Sequence, residues 1–269
     1  MIGLVTALSS EARPLVDAFN LKKDQGTRRF DLYRSDDLSL IVSGIGKIKS
    51  AIAVTILCQK FELSNLVNVG ICGSRNMLRP VGQALAVHKI TDATTGRDFY
   101  PELLTDYGLE EGALTTFDRV VTEDTPLEPN VELIDMEASG FFEAASYFLE
   151  LDRIHIIKVV SDHLNVNHVT REFVAGLITR RVDDLRRVLT LLPAPKAPLF
   201  SPDELLDINR LVAHFRLTST QQYQVLDWIR TSKVKGKFTV SLLEEFARTQ
   251  PMGKSATKAI LKNLHDHLV

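Results

Sequence analysis

Short apolar runs alternate with longer amphipathic stretches between residues 2 and 192 of the chain. The runs predict β-strands, because a mainly apolar segment of this length fits a strand that is buried in a sheet. They are Ile2–Leu8, Phe30–Tyr33, Leu38–Val42, Leu66–Val69, Ala84–Ile90, Ala113–Thr116, Val120–Val121, Leu133–Asp135 and Ile154–Val160. The stretches predict helices, which are Ser10–Phe19, Lys47–Phe61, Met136–Leu149 and Arg171–Leu192. This alternation predicts an α/β domain with a mixed central sheet covered by helices.

The pattern changes after a proline-rich segment, and the change divides the chain into two domains. Four prolines lie within Leu192–Pro202, which is typical of a linker, and we place the linker at residues 194–202. Beyond it, apolar residues recur with the period of a helix. Four such segments follow, Asp203–Phe215, Ser219–Thr231, Thr239–Arg248 and Lys254–Leu268. The sequence therefore predicts the α/β domain over residues 1–193 and a small all-α, four-helix domain over residues 203–269.

Composition excludes several classes of protein for the chain as a whole. Its 269 residues are 45% hydrophobic and 25% charged, with a formal net charge of -2, which does not suit a polyanion-binding protein. Cys58 and Cys72 are too few for a disulfide framework or a zinc site, and they fit a reducing compartment. No run approaches the roughly 20 apolar residues that span a bilayer, and no basic segment typical of a signal peptide opens the chain. We therefore expect a cytoplasmic protein that binds no membrane and needs no metal and no cofactor.

The predicted helical domain is more basic than the rest of the chain. From Lys196 onward, 11 Lys and Arg residues stand against 7 Asp and Glu residues, a net charge of +4. Lys233, Lys235 and Lys237 form a short basic turn between two predicted helices. This charge is too small to predict nucleic-acid binding, so a solvated turn is the simplest interpretation. A protein partner for the helical domain, a cover over an active site and a part in dimer assembly stay open.

Three acidic residues follow predicted strands, which is where open α/β sheets place their ligands. Glu11 lies in the first turn of a helix, where the helix dipole favours a carboxylate. Glu137 opens another helix, and a carboxylate there can accept hydrogen bonds from two ribose hydroxyls at once. Ser161 and Asp162 close the strand Ile154–Val160, so Asp162 is expected to be partly removed from water, as suits a proton donor. Each acid also fits plain capping of a helix or a turn.

Two turns that contain glycine accompany these acids. The first contains Gly44, and the second contains Gly70, Cys72 and Gly73. Glycine permits a ligand to approach the backbone closely, so we expect these residues to line a substrate site. Neither turn has the spacing of a dinucleotide fingerprint or of a P-loop, which excludes an NTPase. Arg97 lies in a later loop, where it fits either contact with a charged substrate group or a structural role.

Five segments, taken in order, carry a resemblance to a known family. They read IGLVTALSSEARPL from residue 2, SGIGKIKSAIAVT from residue 43, VNVGICGS from residue 67, DMEASGFFEAA from residue 135 and KVVSDHLN from residue 158. In this order and spacing they resemble the methylthioadenosine/S-adenosylhomocysteine nucleosidases and the wider nucleoside phosphorylase family. The resemblance covers about residues 1–190 and leaves out the helical domain. It implies the fold of that family, cleavage of the glycosidic bond of a purine nucleoside, and assembly into at least a homodimer.

The resemblance also implies roles for individual residues. Glu11 falls on the glutamate that activates the attacking water, and Asp162, with Ser161 before it, falls on the aspartate that protonates the leaving purine. The Met136–Glu137 pair falls on the residues that hold the ribose. Lys158 falls where the nucleosidases have an arginine near the catalytic water. These residue types suit the reaction, because bond cleavage builds positive charge on the ribose and negative charge on the base.

Two departures from the family pattern bear on the reaction. Ile71 stands where the nucleosidases usually have a serine, and Asn68 stands where bacterial phosphorylases hold phosphate with an arginine. Hydrolysis is therefore favoured, with an adenosine-like nucleoside of the methylthioadenosine or S-adenosylhomocysteine type as substrate. A phosphorylase of the same fold is a second interpretation. A catalytically silent nucleoside-binding or scaffold protein is a third, supported by Ile71 and Lys158. Val120–Val121 falls near the place of the aromatic residue that normally stacks on the purine.

Overall fold

The computed structural model describes residues 1–25, 29–195, 199–215, 217–239, 241, 248 and 254–268. The chain divides into two compact units, Met1–Pro195 and Lys196–Val269. The division falls inside the proline-rich segment that the sequence marks as a linker. Each unit has its own apolar core, so each is described by itself.

The N-terminal unit is a mixed α/β fold, which confirms the predicted fold class. Its strands are β1 (Ile2–Thr6), β2 (Lys22–Asp24), β3 (Asp31–Arg34), β4 (Leu38–Val42), β5 (Asn65–Ser74), β6 (Ala84–Asp92), β7 (Asp98–Phe99), β8 (Glu110–Thr116), β9 (Leu133–Asp135) and β10 (Ile154–Asp162). Its α-helices are α1 (Ser9–Ala18), α2 (Lys47–Lys60), α3 (Ala138–Ala145), α4 (Arg171–Thr179) and α5 (Val182–Leu191).

These strands form one sheet whose central part closes on itself. The order is β10-β6-β8-β9-β5-β1-β4-β3-β2, β7 pairs with β6, and β10 also pairs with β5. Strands β5, β10, β6, β8 and β9 therefore form a ring, and β1 continues the sheet from β5. Because β1, β5 and β10 are parallel, their carboxyl ends meet at one edge. Strand β9 joins this edge, since Ile134 lies opposite Gly73 near the end of β5.

Strand β10 shows how the sheet is buried on both faces. Every residue of β10 before Asp162 is buried. Ile156 and Val160 pack into one apolar cluster with residues of α2 and α3. Ile157 and Val159 pack into a second cluster, with residues of α1, α4 and α5. Successive side chains of a strand point to opposite faces, so burial on both sides requires the mainly apolar run that predicted this strand.

The prediction of a single helix over Arg171–Leu192 is wrong, because α4 and α5 are separated at Arg180 and Arg181. Arg181 donates from Nε to the carbonyl oxygen of Gly82 at 2.5 Å and from Nη1 to Asp184 at 3.1 Å. These contacts hold Arg181 as the residue before a new helix whose first turn is acidic. The partner carbonyl is distant in sequence, so the apolar periodicity gives no sign of the break.

Other boundaries differ from the prediction at the edge that carries the predicted acids. Val120–Val121, predicted as a further strand, lies in a loop. The strand predicted over Leu66–Val69 continues to Ser74 as part of β5. The helix predicted to begin at Met136 begins at Ala138. The extension of β5 carries the second glycine turn into the sheet, which makes it part of a rigid strand.

A close contact between α2 and α3 holds the start of α2 in place. A Cβ atom at Gly140 would lie 2.2 Å from the carbonyl oxygen of Lys47, so only glycine fits at this position. The Nζ atom of Lys47 lies 2.8 Å from Asp92, and Asp92 also accepts a hydrogen bond from Ser139 at 2.8 Å. The turn that precedes α2 is therefore fixed against the beginning of α3.

The C-terminal unit contains the helices α6 (Pro202–His214), α7 (Ser219–Val234) and α8 (Lys254–Leu268). Its core includes the buried side chains Ile208, Leu211, Val225, Ile229 and Leu264. The helix predicted over Thr239–Arg248 falls almost entirely on residues outside the described ranges. The helices that are described agree with the predicted all-α character of this part of the chain.

One lysine of the basic turn in the C-terminal unit, Lys233, packs against other residues of this unit. Helix α7 runs beyond its predicted end and includes Lys233. The Nζ atom of Lys233 lies 2.5 Å from Oε1 of Glu204, and it also lies over the rings of Phe200 and Phe238. Lys233 is therefore engaged in the packing of this unit.

Two further features are absent from the residues that the structure describes. No helix in this part of the chain is long and apolar enough to cross a membrane. The same residues include no cluster of three or more His, Cys, Asp or Glu side chains that could hold a metal ion. Cys58 and Cys72 are both free thiols.

Candidate active site

A pocket of about 350 Å³ lies at the carboxyl edge of the sheet, beside the ends of β5, β9 and β10. Many of the predicted site residues line it, namely Glu11, Cys72, Gly73, Met136, Glu137, Ser161 and Asp162. Much of the remaining wall is apolar and includes Ile45, Ile71, Val120, Val121 and Leu164. An apolar cleft with a few convergent polar groups is typical of a small-molecule site.

Glu11 lines the pocket and is fixed there by three backbone hydrogen bonds. Only 2% of its surface is exposed. Its Oε2 atom accepts hydrogen bonds from the backbone N–H groups of Ala7 and Leu8 at 2.9 and 2.8 Å, and its Oε1 atom accepts one from Ile71 at 2.9 Å. Burial raises the pKa of Glu11 above its ordinary value, and the backbone hydrogen bonds oppose this rise. A buried carboxylate with a raised pKa is suited to accept a proton.

Gly70 was predicted to line the substrate site, but it does not line the pocket; it is required by the close approach of Glu11. A Cβ atom on Gly70 would lie 2.8 Å from Oε1 of Glu11, so any larger residue would displace the carboxylate. The next residue, Ile71, serves Glu11 through its backbone N–H group and not through its side chain. The absence of a serine at position 71 therefore leaves the contact between β5 and Glu11 intact. Sequence reasoning missed this backbone role, although Gly70 was a signal for it.

Glu137 is the second buried carboxylate, with 6% of its surface exposed. Its Oε1 atom accepts a hydrogen bond from the backbone N–H group of Gly46 at 2.9 Å. This contact explains the first glycine turn: Gly44 does not line the pocket, but it shapes the turn that presents Gly46. Burial and the neighbouring charge of Asp135 raise the pKa of Glu137 to about 7.

Lys158 and Asp135 form a buried ion pair behind the pocket. The Nζ atom of Lys158 lies 2.8 Å from Oδ2 of Asp135, and Lys158 is only 1% exposed. Asp135 also accepts hydrogen bonds from Thr116 Oγ1 at 2.7 Å and from the N–H group of Ala138 at 2.9 Å. Burial by itself lowers the pKa of Lys158, but Asp135 and Glu137 raise it above its ordinary value. Lys158 therefore stays charged, and it does not line the pocket as a substrate contact.

Asp162 lies at the end of β10, where the strand departs from regular pairing. The register between β10 and β5 shifts between Val160 and Asp162. Irregularities of this kind redirect a side chain at the end of a strand. The Oγ atom of Ser161 lies 2.5 Å from Oδ2 of Asp162 and 3.1 Å from the carbonyl oxygen of Cys72. Ser161 thus fixes the half-buried carboxyl group of Asp162 at the pocket wall.

Arg97 was predicted to contact the substrate, but the structure does not bring it to this pocket. It lines a separate cavity of about 650 Å³ beside α2 and α3. Its Nη1 atom pairs with Glu143 at 2.6 Å, and its guanidinium group lies over the ring of Phe99. The pocket instead contains Arg119, which sequence reasoning passed over. Arg119 immediately precedes Val120, the residue that was placed near the purine, and this position was the signal for it.

Comparison with known proteins finds similarity to the phosphorylase superfamily and, within it, to nucleosidases. The family model of the phosphorylase superfamily matches residues 1–119. The chain is also similar to 5′-methylthioadenosine/S-adenosylhomocysteine nucleosidase of Buchnera aphidicola subsp. Schizaphis graminum, with 24% identity over 140 residues, which are 51% of this chain and 57% of that protein. For the nucleosidase of the same name from Staphylococcus haemolyticus, the identity is 30% over 102 residues, which are 35% and 45% of the two chains. The chain spans about half the length of the curated relatives it matches.

Solved structures agree with this assignment of the fold. The 5′-methylthioadenosine/S-adenosylhomocysteine nucleosidase of S. pneumoniae, bound to a transition-state inhibitor, superposes with a TM-score of 0.60 at 23% identity, over 71% of this chain and 99% of that chain. The futalosine hydrolase of Helicobacter pylori gives a TM-score of 0.60 at 14% identity, over 70% and 97%. The N-terminal unit therefore has the nucleoside phosphorylase fold, and the resemblance predicted from the five segments is confirmed. These relatives and neighbours are nucleosidases and, in one case, a futalosine hydrolase.

Proposed function

We propose that the N-terminal unit hydrolyses the N-glycosidic bond of an adenosine-like purine nucleoside of the methylthioadenosine or S-adenosylhomocysteine type. The observation that carries this proposal is the convergence of Glu11, Glu137 and Asp162, which are far apart in sequence, on one pocket. The names of the relatives and of the structural neighbours support the same reaction class.

Each of the three acids has a distinct part in the proposed reaction. The carboxylate of Glu137 accepts hydrogen bonds from the ribose hydroxyls and holds the sugar. As the glycosidic bond breaks, its electron pair goes to the base, and Asp162 gives the base a proton. A water molecule attacks the anomeric carbon, and Glu11 takes a proton from that water. The two carboxylates near the sugar also stabilise the positive charge that develops on it.

Hydrolysis is favoured over phosphorolysis because the polar groups near β5 that could bind phosphate already form hydrogen bonds or an ion pair within the protein. Asn68 is buried and donates from Nδ2 to the carbonyl oxygen of Val5 at 3.1 Å. The N–H group of Ile71 donates to Glu11, and the charge of Lys158 is paired with Asp135. None of these groups is left to bind a phosphate oxygen.

The proposal is tested by incubating the full-length protein with methylthioadenosine, S-adenosylhomocysteine, adenosine and inosine, with and without phosphate. Release of free base is followed by chromatography. Base released without phosphate supports a nucleosidase, whereas release only with phosphate shows a phosphorylase. No release from any of the four, with nucleoside binding retained, supports the silent nucleoside-binding protein instead.

The pKa of Glu137 leads to a predicted pH dependence. We expect kcat/KM for hydrolysis to fall as the pH drops through about 7, because protonated Glu137 no longer accepts hydrogen bonds from both ribose hydroxyls. Above this pH the carboxylate of Glu137 is charged, and this group no longer limits the rate. A pH–rate profile of the wild-type protein and of Glu137→Gln measures this effect. The variant should be slow at all pH values and should lack this acidic limb; an unchanged limb in Glu137→Gln contradicts the assignment.

We further propose that the protein forms at least a homodimer through the exposed face of α2. Ile48 is 73% exposed and Ile52 is 47% exposed, and the two lie one turn apart on the same side of the helix. Tyr147 and Phe148, after α3, are exposed as well and line the same cavity as Ile48. An apolar patch of this kind is typical of an interface. Ile45, before α2, lines the pocket, so a second copy on this face would lie beside the site.

The dimer is tested with the double variant Ile48→Glu/Ile52→Glu. Light scattering on a sizing column should give the mass of a dimer for the wild-type protein and that of a monomer for the variant, because four buried carboxylates would oppose the interface. Leu78→Glu, at an exposed apolar residue of the loop after β5, is the matched control and should stay dimeric. A monomeric wild-type protein would contradict the proposal.

We propose that the protein is cytoplasmic, because Cys58 and Cys72 are both free thiols. Burial raises the pKa of the Cys58 thiol to about 11 and that of the Cys72 thiol to about 12. Such thiols stay protonated and unreactive, and free cysteines are typical of reducing compartments.

A further inference from the structure

We propose that Arg119 selects nucleosides whose 5′ substituent ends in a carboxylate, such as S-adenosylhomocysteine, over nucleosides with an uncharged substituent. The proposal rests on the proposed function, because it assigns part of the same pocket to the 5′ substituent of the substrate. The proposed function does not distinguish methylthioadenosine from S-adenosylhomocysteine as the substrate. The role of Arg119 distinguishes these two nucleosides.

Arg119 is a pocket residue whose charge is not used inside the protein. It lines the pocket and its side chain is exposed. Among the residues that the structure describes, no hydrogen bond or ion pair holds its guanidinium group. The preceding residue, Asp118, does have partners: it forms an ion pair with Lys47 at 3.1 Å and accepts a hydrogen bond from Thr94 Oγ1 at 2.5 Å. The loop is thus fixed while the guanidinium group is left for a ligand.

The two ends of this loop place Arg119 at the mouth of the pocket. On one side, Asp118 pairs with Lys47, which follows the glycine that holds Glu137. On the other side, Val121 packs against Leu164, two residues after Asp162. Arg119 therefore spans the opening between the acid that holds the ribose and the acid that protonates the base. We infer that a nucleoside held by these two acids in the proposed way directs its 5′ carbon toward this opening.

The charges of the pocket explain why a cation is needed at the mouth. Glu11, Glu137 and Asp162 all line the interior, and the positive charge of Lys158 is paired with Asp135. The substituent of S-adenosylhomocysteine ends in both an ammonium group and a carboxylate, and this acidic interior would repel the carboxylate unless a cation attracted it at the rim. A guanidinium group suits a carboxylate especially well, because it can donate two parallel hydrogen bonds.

The apolar residues beside Arg119 fit the part of the substituent that precedes the carboxylate. Ile45 and Val166 line the pocket and are exposed at its opening. They offer apolar surface to a thioether and its methylene groups, which are shared by S-adenosylhomocysteine and, in shorter form, by methylthioadenosine. The chain would therefore accept both nucleosides through these residues and distinguish them through Arg119.

The test compares three nucleosides with wild-type protein, Arg119→Gln and Arg119→Lys. The nucleosides are methylthioadenosine, S-adenosylhomocysteine and decarboxylated S-adenosylhomocysteine, which keeps the amino group and lacks the carboxylate. Arg119→Gln should raise KM for S-adenosylhomocysteine about tenfold, because its carboxylate loses a charged partner. It should leave KM for methylthioadenosine unchanged, and it should not raise KM for the decarboxylated compound, whose ammonium group gains nothing from a nearby guanidinium. Arg119→Lys should recover part of the loss. Arg97→Gln, at an exposed arginine outside the pocket, is the matched control and should change none of the three.

Equal changes for all three nucleosides, or none, would overturn the role of Arg119. Release of base that needs phosphate and is lost in Arg119→Gln would overturn it too, since Arg119 would then bind phosphate. Calorimetry in an Asp162→Asn background measures binding without turnover, so the charge preference is decided even if the wild-type protein cleaves nothing. Failure of turnover with retained preference would count against the proposed function alone.

Discussion

Replacing Asp162 with asparagine is expected to lower kcat for nucleoside hydrolysis by about 10²–10⁴-fold, which is the usual contribution of a general acid. Asparagine has nearly the same shape but no proton to give to the leaving base. The hydrogen bond from Ser161 Oγ at 2.5 Å can still be made to the amide oxygen, so the position of the side chain is preserved. Base release in single-turnover and steady-state assays measures the effect.

Two further measurements show whether this loss is chemical or structural. The binding of S-adenosylhomocysteine to Asp162→Asn should stay within a few-fold of the wild-type value, because the sugar is still held by Glu137. Asp37→Asn, at an exposed aspartate in the β3–β4 turn, is the matched control and should keep full activity. Turnover in Asp162→Asn close to the wild-type rate would contradict the role of Asp162 as the acid.

Replacing Lys158 with methionine is expected to lower the free energy of unfolding by about 3–5 kcal/mol, because a buried carboxylate loses its partner. Methionine fills a similar volume, so little of the loss comes from packing. Asp135 keeps its hydrogen bonds from Thr116 and Ala138 but has no positive charge nearby to balance its own. Denaturation by urea, followed by circular dichroism, measures the difference.

Companion variants separate the charge from other effects of this substitution. The double variant Lys158→Met/Asp135→Asn should recover part of the stability, because neither charge is then left alone. Lys47→Met, which removes a lysine from a less buried pair, should cost clearly less. Lys158→Met should also move the acidic limb of the pH–rate profile to higher pH, because Lys158 lowers the pKa of Glu137. A loss no larger than that of Lys47→Met would contradict a buried ion pair.

The sequence by itself determined the layers of the N-terminal unit and the position of its acids along the chain. Burial on both faces of β10 requires a mainly apolar run, and this run, interrupted only by His155 and Lys158, is visible without a structure. Glu11 and Asp162 each stand after such a run, and the parallel strands β1 and β10 bring their carboxyl ends to one edge. Glu137 follows the short strand β9, which is antiparallel to β5, so this rule alone does not place it there. These are local patterns combined with a general rule of sheet topology, and for this reason they could be predicted.

Only the tertiary structure decided which residues meet. Asp135 balances Lys158, the N–H group of Gly46 holds Glu137, and the approach of Glu11 requires Gly70. The periodicity of a segment reports which side chains face inward, but it carries no information on the partner that a distant segment supplies.

The two arginines illustrate the same limit. Arg97 was chosen as a substrate contact because it lies in a loop after a strand, yet that loop faces the cavity beside α2 and α3. Arg119 drew no attention, and the loop after β8 carries it to the pocket. Residue type showed that each can bind an anion, whereas the path of the chain between strands decided which one faces the acids.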